Sequence, residues 1–101
     1  MGHFMTTKYY VSTEEVITTN TIGVSVERYH SQDYWFIRLY VQDAFASDVT
    51  NLLIPNTTSS IKIEDSVGTT TFTGTISYWS SSVDYSHLDL VNCSISYVAA
   101  P

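Results

Sequence analysis

Apolar and polar residues alternate along most of this chain with a period of two, the spacing of strands that bury one face. Residues 61–98, IKIEDSVGTTTFTGTISYWSSSVDYSHLDLVNCSISYV, carry the pattern most clearly. Ile61 and Ile63 alternate with Lys62 and Glu64, and Asp65, Ser66 and Gly68 then break the run. Gly68, which can take a positive φ at no steric cost, predicts a tight hairpin here. Over residues 69–79, Phe72, Gly74, Ile76 and Tyr78 fall on one face, and Thr71, Thr73, Thr75, Ser77 and Trp79 on the other. β-Branched and aromatic side chains suit such a pleated surface. Gly74 leaves a gap between Phe72 and Ile76 and points to a bulge or a bend. Residues 80–86 form a polar connection. In the last run the phase slips. Leu88 and Leu90 share one face, whereas Val91, Cys93, Ile95 and Tyr97 share the opposite one. A bulge near Leu90 and Val91 would turn both sets to one core and bend the strand, as a small barrel or curved sandwich requires.

Upstream, residues 9–12 suggest a short strand. Residues 14–19 either continue it or form one helical turn, since the β-branched run Val16-Ile17-Thr18-Thr19 opposes a long helix. Residues 21–30 alternate, with Ile22, Val24 and Val26 on one face and Ser25 and Glu27 opposite. Ser31, Gln32 and Asp33 make a turn into residues 34–41, the most hydrophobic run in the chain. There Trp35, Ile37, Leu39 and Val41 share one face, and Tyr34, Phe36, Arg38 and Tyr40 share the other. A strand apolar on both sides is central in its sheet or covers a partner. Residues 43–48 form a loop or a helical turn, residues 49–54 are apolar and stop at Pro55, and residues 56–60 form a polar loop. The sum is about six to seven strands, about ten residues apart, with no long helix. This predicts a single all-β domain over residues 1–101, an antiparallel β-sandwich or small β-barrel. Residues 1–7 form a flexible N-terminal arm carrying Phe4 and Met5.

Composition narrows the function. Charged residues are 14% of the chain, against roughly 25% in a typical soluble domain, and Ser, Thr and Tyr fill the polar surface instead. The net charge is −6, and the cations are Lys8, Arg28, Arg38 and Lys62. Four scattered cations do not make the clustered footprint that displaces counterions from nucleic acid, nor one that holds an anionic membrane. One cysteine, Cys93, permits no intrachain disulfide and reads as a small buried hydrophobe. The N-terminal segment lacks the apolar core of a signal peptide, and no run approaches the roughly 20 residues of a membrane helix. The chain is therefore expected to be made in a cytoplasm and to remain there or in an assembly.

Chemistry-bearing clusters are sparse. His3, His30 and His87 lie far apart, without zinc-ligand spacing. His87-Leu88-Asp89 sets an imidazole and a carboxylate on one strand face, a pair able to orient a general base, but no nucleophile elbow accompanies it. Asp33, Asp43 and Asp48 lie in turns without the EF-hand pattern. No catalytic residue, metal ligand or cofactor is assigned. The aromatic supply is rich, and aromatics dominate protein interfaces as well as sugar-stacking surfaces. The expected interface residues are Phe4, Tyr34, Phe36, Tyr40 and Trp79. A soluble module for carbohydrate or a small ligand, with Trp35 or Trp79 as a stacking platform, is the alternative.

Residues 61–98 resemble the terminal strands of small β-proteins from tailed bacteriophage virions. Shared are an acidic hairpin, a threonine-rich strand of the form F-x-G-x-I (Phe72, Gly74, Ile76), a polar loop and a final alternating strand. The resemblance covers about a third of the chain and carries over no individual functional residue. It implies a non-enzymatic component of a virion, made in the host cytoplasm, in a tail, baseplate, connector or capsid decoration. Its partners would be proteins of the particle, through homo-oligomers or lattice contacts, with strand addition by the arm at an open sheet edge.

Overall fold

The computed structural model describes residues 7–16 and 23–101. Phe4 and nearly all of the arm lie outside the described residues, as do Ile17 and Ile22. The elements in order are β1 (Lys8–Val11), β2 (Glu14–Glu15), β3 (Val24–Ser31), β4 (Tyr34–Val41), α1 (Ser47–Thr50), β5 (Thr58–Glu64), β6 (Gly68–Ser81) and β7 (Ser86–Ala99). The seven strands form one antiparallel sheet in the order β2-β1-β5-β6-β7-β4-β3, not closed into a barrel. The expected all-β antiparallel architecture is therefore present.

The long hairpin β6–β7 is the spine. Its strands pair from Gly68↔Ala99 to Ser81↔Ser86, while β5 joins β6 along Thr58↔Thr75 to Glu64↔Thr69 and β4 joins β7 along Trp35↔Cys93 to Val41↔Ser86. The outer strands are thus staggered along the spine. The sheet curls about its buried face. Arg28 on β3 reaches to 5.2 Å from the ring centre of Phe72 on β6, three strands away, where a flat sheet would set the strands roughly 14 Å apart. Val11, Ile37, Leu39, Ile61, Phe72, Ile76, Leu88, Leu90 and Cys93 fill the concave side and are essentially inaccessible.

Two bulges set that curl. Between Thr73↔Ser94 and Thr75↔Val91, β7 spends one residue more than β6. Asn92, in that stretch, has φ of 55°. Leu88, Leu90 and Cys93 are buried together, as the slipped phase predicts, but Val91 precedes the bulge and is only partly buried, and Ile95 and Tyr97 further along are 40% and 54% exposed. Gly74 lies opposite. A Cβ there would sit 2.5 Å from Cys93 Sγ and 2.6 Å from the Val91 carbonyl oxygen. The second bulge was not legible. Ile76↔Leu90 is followed by Tyr78↔Asp89, so β6 gains a residue at Ser77. Tyr78 is consequently 57% exposed and Trp79 packs against the core, the reverse of simple alternation.

Two further expectations change, and two open segments are settled. Gly68 does not take a positive φ. Its missing Cβ instead makes room for Tyr97, whose hydroxyl would lie 2.6 Å from that atom, and Asp65 closes the turn by accepting from Val67 N (2.9 Å) and Gly68 N (3.0 Å). Residues 58–60 belong to β5, because hydrogen-bonded pairing with β6 needs no apolar side chains. The apolar run 49–54 continues from the single turn α1. Phe45, Val49 and Leu53, four apart, fall on one side of such a turn and close one end of the core. Residues 14–15 continue the β1 hairpin rather than a helix.

The close approach at the first bulge is testable. Gly74→Val is expected to cost ~1–3 kcal/mol by overpacking, read from urea midpoints. Asn92→Val should cost ~1–2 kcal/mol through its positive φ, with Asn92→Gly nearly neutral.

Candidate interaction face

The convex side of β3, β4, β7 and the end of β6 carries the polar and aromatic residues that alternation turns away from the core. Registers Glu27↔Arg38, Arg38↔Asp89 and Tyr78↔Asp89 set four side chains in one row. Ser25↔Tyr40, Tyr40↔His87 and Ser80↔His87 make the next row. Tyr29 stands beside Phe36, ring centres 5.8 Å apart, and Tyr34 ends the strand. Tyr29, Tyr34 and Tyr78 are each more than half exposed.

An ion pair lies at the centre. Arg38 donates from Nε to Asp89 Oδ1 (2.7 Å) and from Nη2 to Oδ2 (2.8 Å), a two-point fork. Its Nη1 donates to the Tyr40 hydroxyl at 3.3 Å, and the guanidinium lies over the rings of Phe36 and Tyr40. The Asp89 side chain is 6% exposed and that of Arg38 33%. The hydrogen bond to Asp89 raises the guanidinium pKa further above its ordinary value, so the pair is permanently ionised on the arginine side. Tyr29 donates to Glu27 Oε2 at 2.8 Å, which raises the phenol pKa.

Histidine 87 is not served by Asp89, whose two oxygens are taken by Arg38. Its Nδ1 lies 3.3 Å from Ser80 Oγ, and its ring is flanked by Tyr40 and Tyr78 at 6.1 and 5.4 Å. The imidazole–carboxylate pair read from His87-Leu88-Asp89 is thus divided between two separate contacts. Sequence spacing set both residues on one face correctly. It held no signal that Arg38, 51 residues away, would claim the acid.

Of the expected interface residues, Tyr34, Phe36 and Tyr40 share this convex face. Trp79 and Trp35 lie on the other side, partly buried against the core, with Trp35 stacked on His30 at 4.6 Å. Tyr29 and Tyr78 join the face unannounced. Tyr29 was legible as the cross-strand partner of Phe36 once the hairpin turn was placed, whereas Tyr78 depended on the second bulge. At the end of the sheet, Ser86 Oγ donates to the Asp43 carbonyl (2.7 Å) and lies 2.9 Å from Ser81 Oγ, which accepts from Phe45 N. This chain of bonds ties the 42–46 loop to the hairpin tip. Among the described residues no cluster of three or more His, Cys, Asp or Glu is placed to hold a metal ion, and no helix is long and apolar enough to cross a membrane.

Comparison with protein-family models, with curated proteins and with solved structures returns no significant match to this chain.

Arg38→Ala leaves a buried carboxylate without its counter-charge. Its partial exposure sets the cost at about 2 kcal/mol, between the values for exposed and buried pairs, with Arg38→Leu/Asp89→Leu costing less than the single change. Chemical denaturation of the three chains checks the order. Burial pushes the Cys93 thiol up to about 11. The folded thiol is therefore expected to resist disulfide-exchange reagents at pH 8 and to react once urea unfolds the chain. Since the folded pKa lies above the unfolded one, this group's stabilisation is complete below the ordinary thiol pKa and is lost as pH rises toward 11.

Proposed function

We propose that this chain is a non-enzymatic structural protein of a tailed-phage virion, in a tail, baseplate, connector or capsid decoration, acting through subunit interfaces. The observation that carries the reading is the convex face. Exposed tyrosine rings surround an ion pair whose charges are already satisfied within the chain. Such a surface buries against a protein without stranding a charge, and its aromatic content is that of interface centres. The low charge of the chain and the resemblance of residues 61–98 support the same class. Tyr34, Phe36 and Tyr40 form the contact, with Tyr29 and Tyr78 beside them.

A second reading has one observation in its favour. A shallow cleft of about 670 Å³ lies between Tyr40 and the hairpin tip Val83-Asp84-Tyr85, and two tyrosines with a carboxylate suit a sugar. It replaces the tryptophan platform, whose rings face the core.

Gradient-purified particles of the phage encoding the chain are expected to contain it. Hydroxyl-radical labelling of Tyr29, Tyr34 and Tyr78 should fall there by at least about threefold relative to the free chain, as solvent is excluded from an interface centre. Its absence from such particles would sink the virion reading. For the second reading, calorimetric titration with a panel of oligosaccharides decides: heat abolished by Tyr85→Ala favours the cleft, and no heat with any sugar removes it.

A further inference from the structure

The stagger of the sheet leaves half of β7 with one neighbour. Its pairing with β4 ends at Trp35↔Cys93, whereas its pairing with β6 continues to Gly68↔Ala99. Among the described residues no strand pairs with the other edge of residues 94–99, and all six are exposed.

The remaining edges are guarded. β3, at one end of the sheet, carries Glu27 on its convex side and Arg28 turned inward. β2, at the other end, is two residues long and both are glutamates. The free edge of β6 beyond Ile76 is met by the loop at Phe45. Charge, shortness and cover are the usual ways of preventing strand addition. Among the described residues the open part of β7 has none of them: six residues long, it meets no covering segment, and residues 91–100, VNCSISYVAA, contain no charge. Ile95, Tyr97 and Val98 stand there 40%, 54% and 68% exposed.

Hydrogen-bond parity says what fits. Ala100 N donates to the Val67 carbonyl at 2.8 Å. Counting back in an antiparallel ladder, Val98, Ser96 and Ser94 direct their N–H and C=O toward β6. Ile95, Tyr97 and Ala99 therefore direct theirs outward, three donors and three acceptors. We propose that this edge pairs with the same edge of a second copy of the chain, antiparallel about a two-fold axis at Tyr97. In that register Tyr97 faces Tyr97 of the second copy and Ile95 faces Ala99, so all six outward groups are satisfied at once. Ser96 then faces Val98, and no like charges meet. Pro101, without an N–H, falls opposite Cys93, where β4 already occupies the edge, and the ladder ends there. Among the described residues each chain has one such edge, so the pairing closes at two copies. The proposal deepens the assembly reading by naming its first partner, and rests on that reading.

The test is mass by light scattering across concentration, joined to residue-resolved amide exchange. The full chain is expected to double its mass from 11.4 kDa. Exchange of the Ile95, Tyr97 and Ala99 amides should slow by at least roughly tenfold on association, with their even-numbered neighbours already protected by β6. Ser96→Lys/Val98→Lys sets lysines opposite lysines across the axis at exposed positions. It should give a folded monomer with unchanged circular dichroism. A full chain that stays monomeric, an oligomer indifferent to this double change, or a mass that climbs past two copies without a plateau each overturns the edge pairing. All three leave the virion reading to its own particle test. Loss of the dimer in Phe4→Ser/Met5→Ser would assign the edge to the arm of another copy and likewise overturn the two-fold pairing.

Discussion

The pairing of β6 with β7 is the interaction on which the other elements depend. Every other strand reaches the sheet through one of these two. β5 and then β1 and β2 attach to β6, while β4 and then β3 attach to β7. The contact is closest at Gly74, where a backbone without a side chain lets Cys93 and the Val91 carbonyl approach. The bulge at Asn92 keeps Cys93 and Ile95 on the side of Leu88 and Leu90, although the two residues between Leu90 and Cys93 would invert them in a regular strand. A strand without it would turn half of this set into solvent, since a one-residue slip inverts every later side chain. The core-facing set of β7 thus rests on this bulge, and the curl on it together with the bulge at Ser77.

A sheet with one buried face must do something with the other. Here the convex face near β4 is neither highly charged nor simply apolar. It sets tyrosines and a phenylalanine around a single arginine–aspartate fork. The fork takes the acid that would otherwise orient His87, so a motif with catalytic overtones in one dimension becomes part of a stable surface in three. Desolvating Asp89 is tolerable because two charge-assisted hydrogen bonds replace its water. At the centre of this face the polar groups of Arg38, Asp89 and Tyr40 are already bonded to one another.

The staggered arrangement has a second consequence. Since β4 and β5 cover opposite halves of the spine, each spine strand has one half without a lateral strand. On β6 the loop around Phe45 meets that half, held by the Ser81 and Ser86 hydroxyls. On β7 nothing among the described residues does so. The convex aromatic face and the open neutral edge are separate surfaces.

Much of the architecture is determined by the sequence alone. Period-two patterning, turn residues and the absence of helical periodicity decide an antiparallel all-β chain. The bounds of β4, the turn at Gln32 and Asp33, and the phase slip before Cys93 are all local properties of a strand. Tyr34, Phe36 and Tyr40 were legible as one face for the same reason. What only the tertiary structure decided are matters of register and partner between distant segments. The bulge at Ser77 exchanged Tyr78 and Trp79 because β7 opposite it, and not β6 itself, sets the pairing. Gly68 is small for the sake of Tyr97, and Asp89 is bound by an arginine on another strand. The run 49–54 closes the core as a turn because Phe45, Val49 and Leu53 have a core end to cover. Local periodicity reports which side of the backbone a residue occupies, whereas the identity of the neighbour on that side exists only once the strands have found one another.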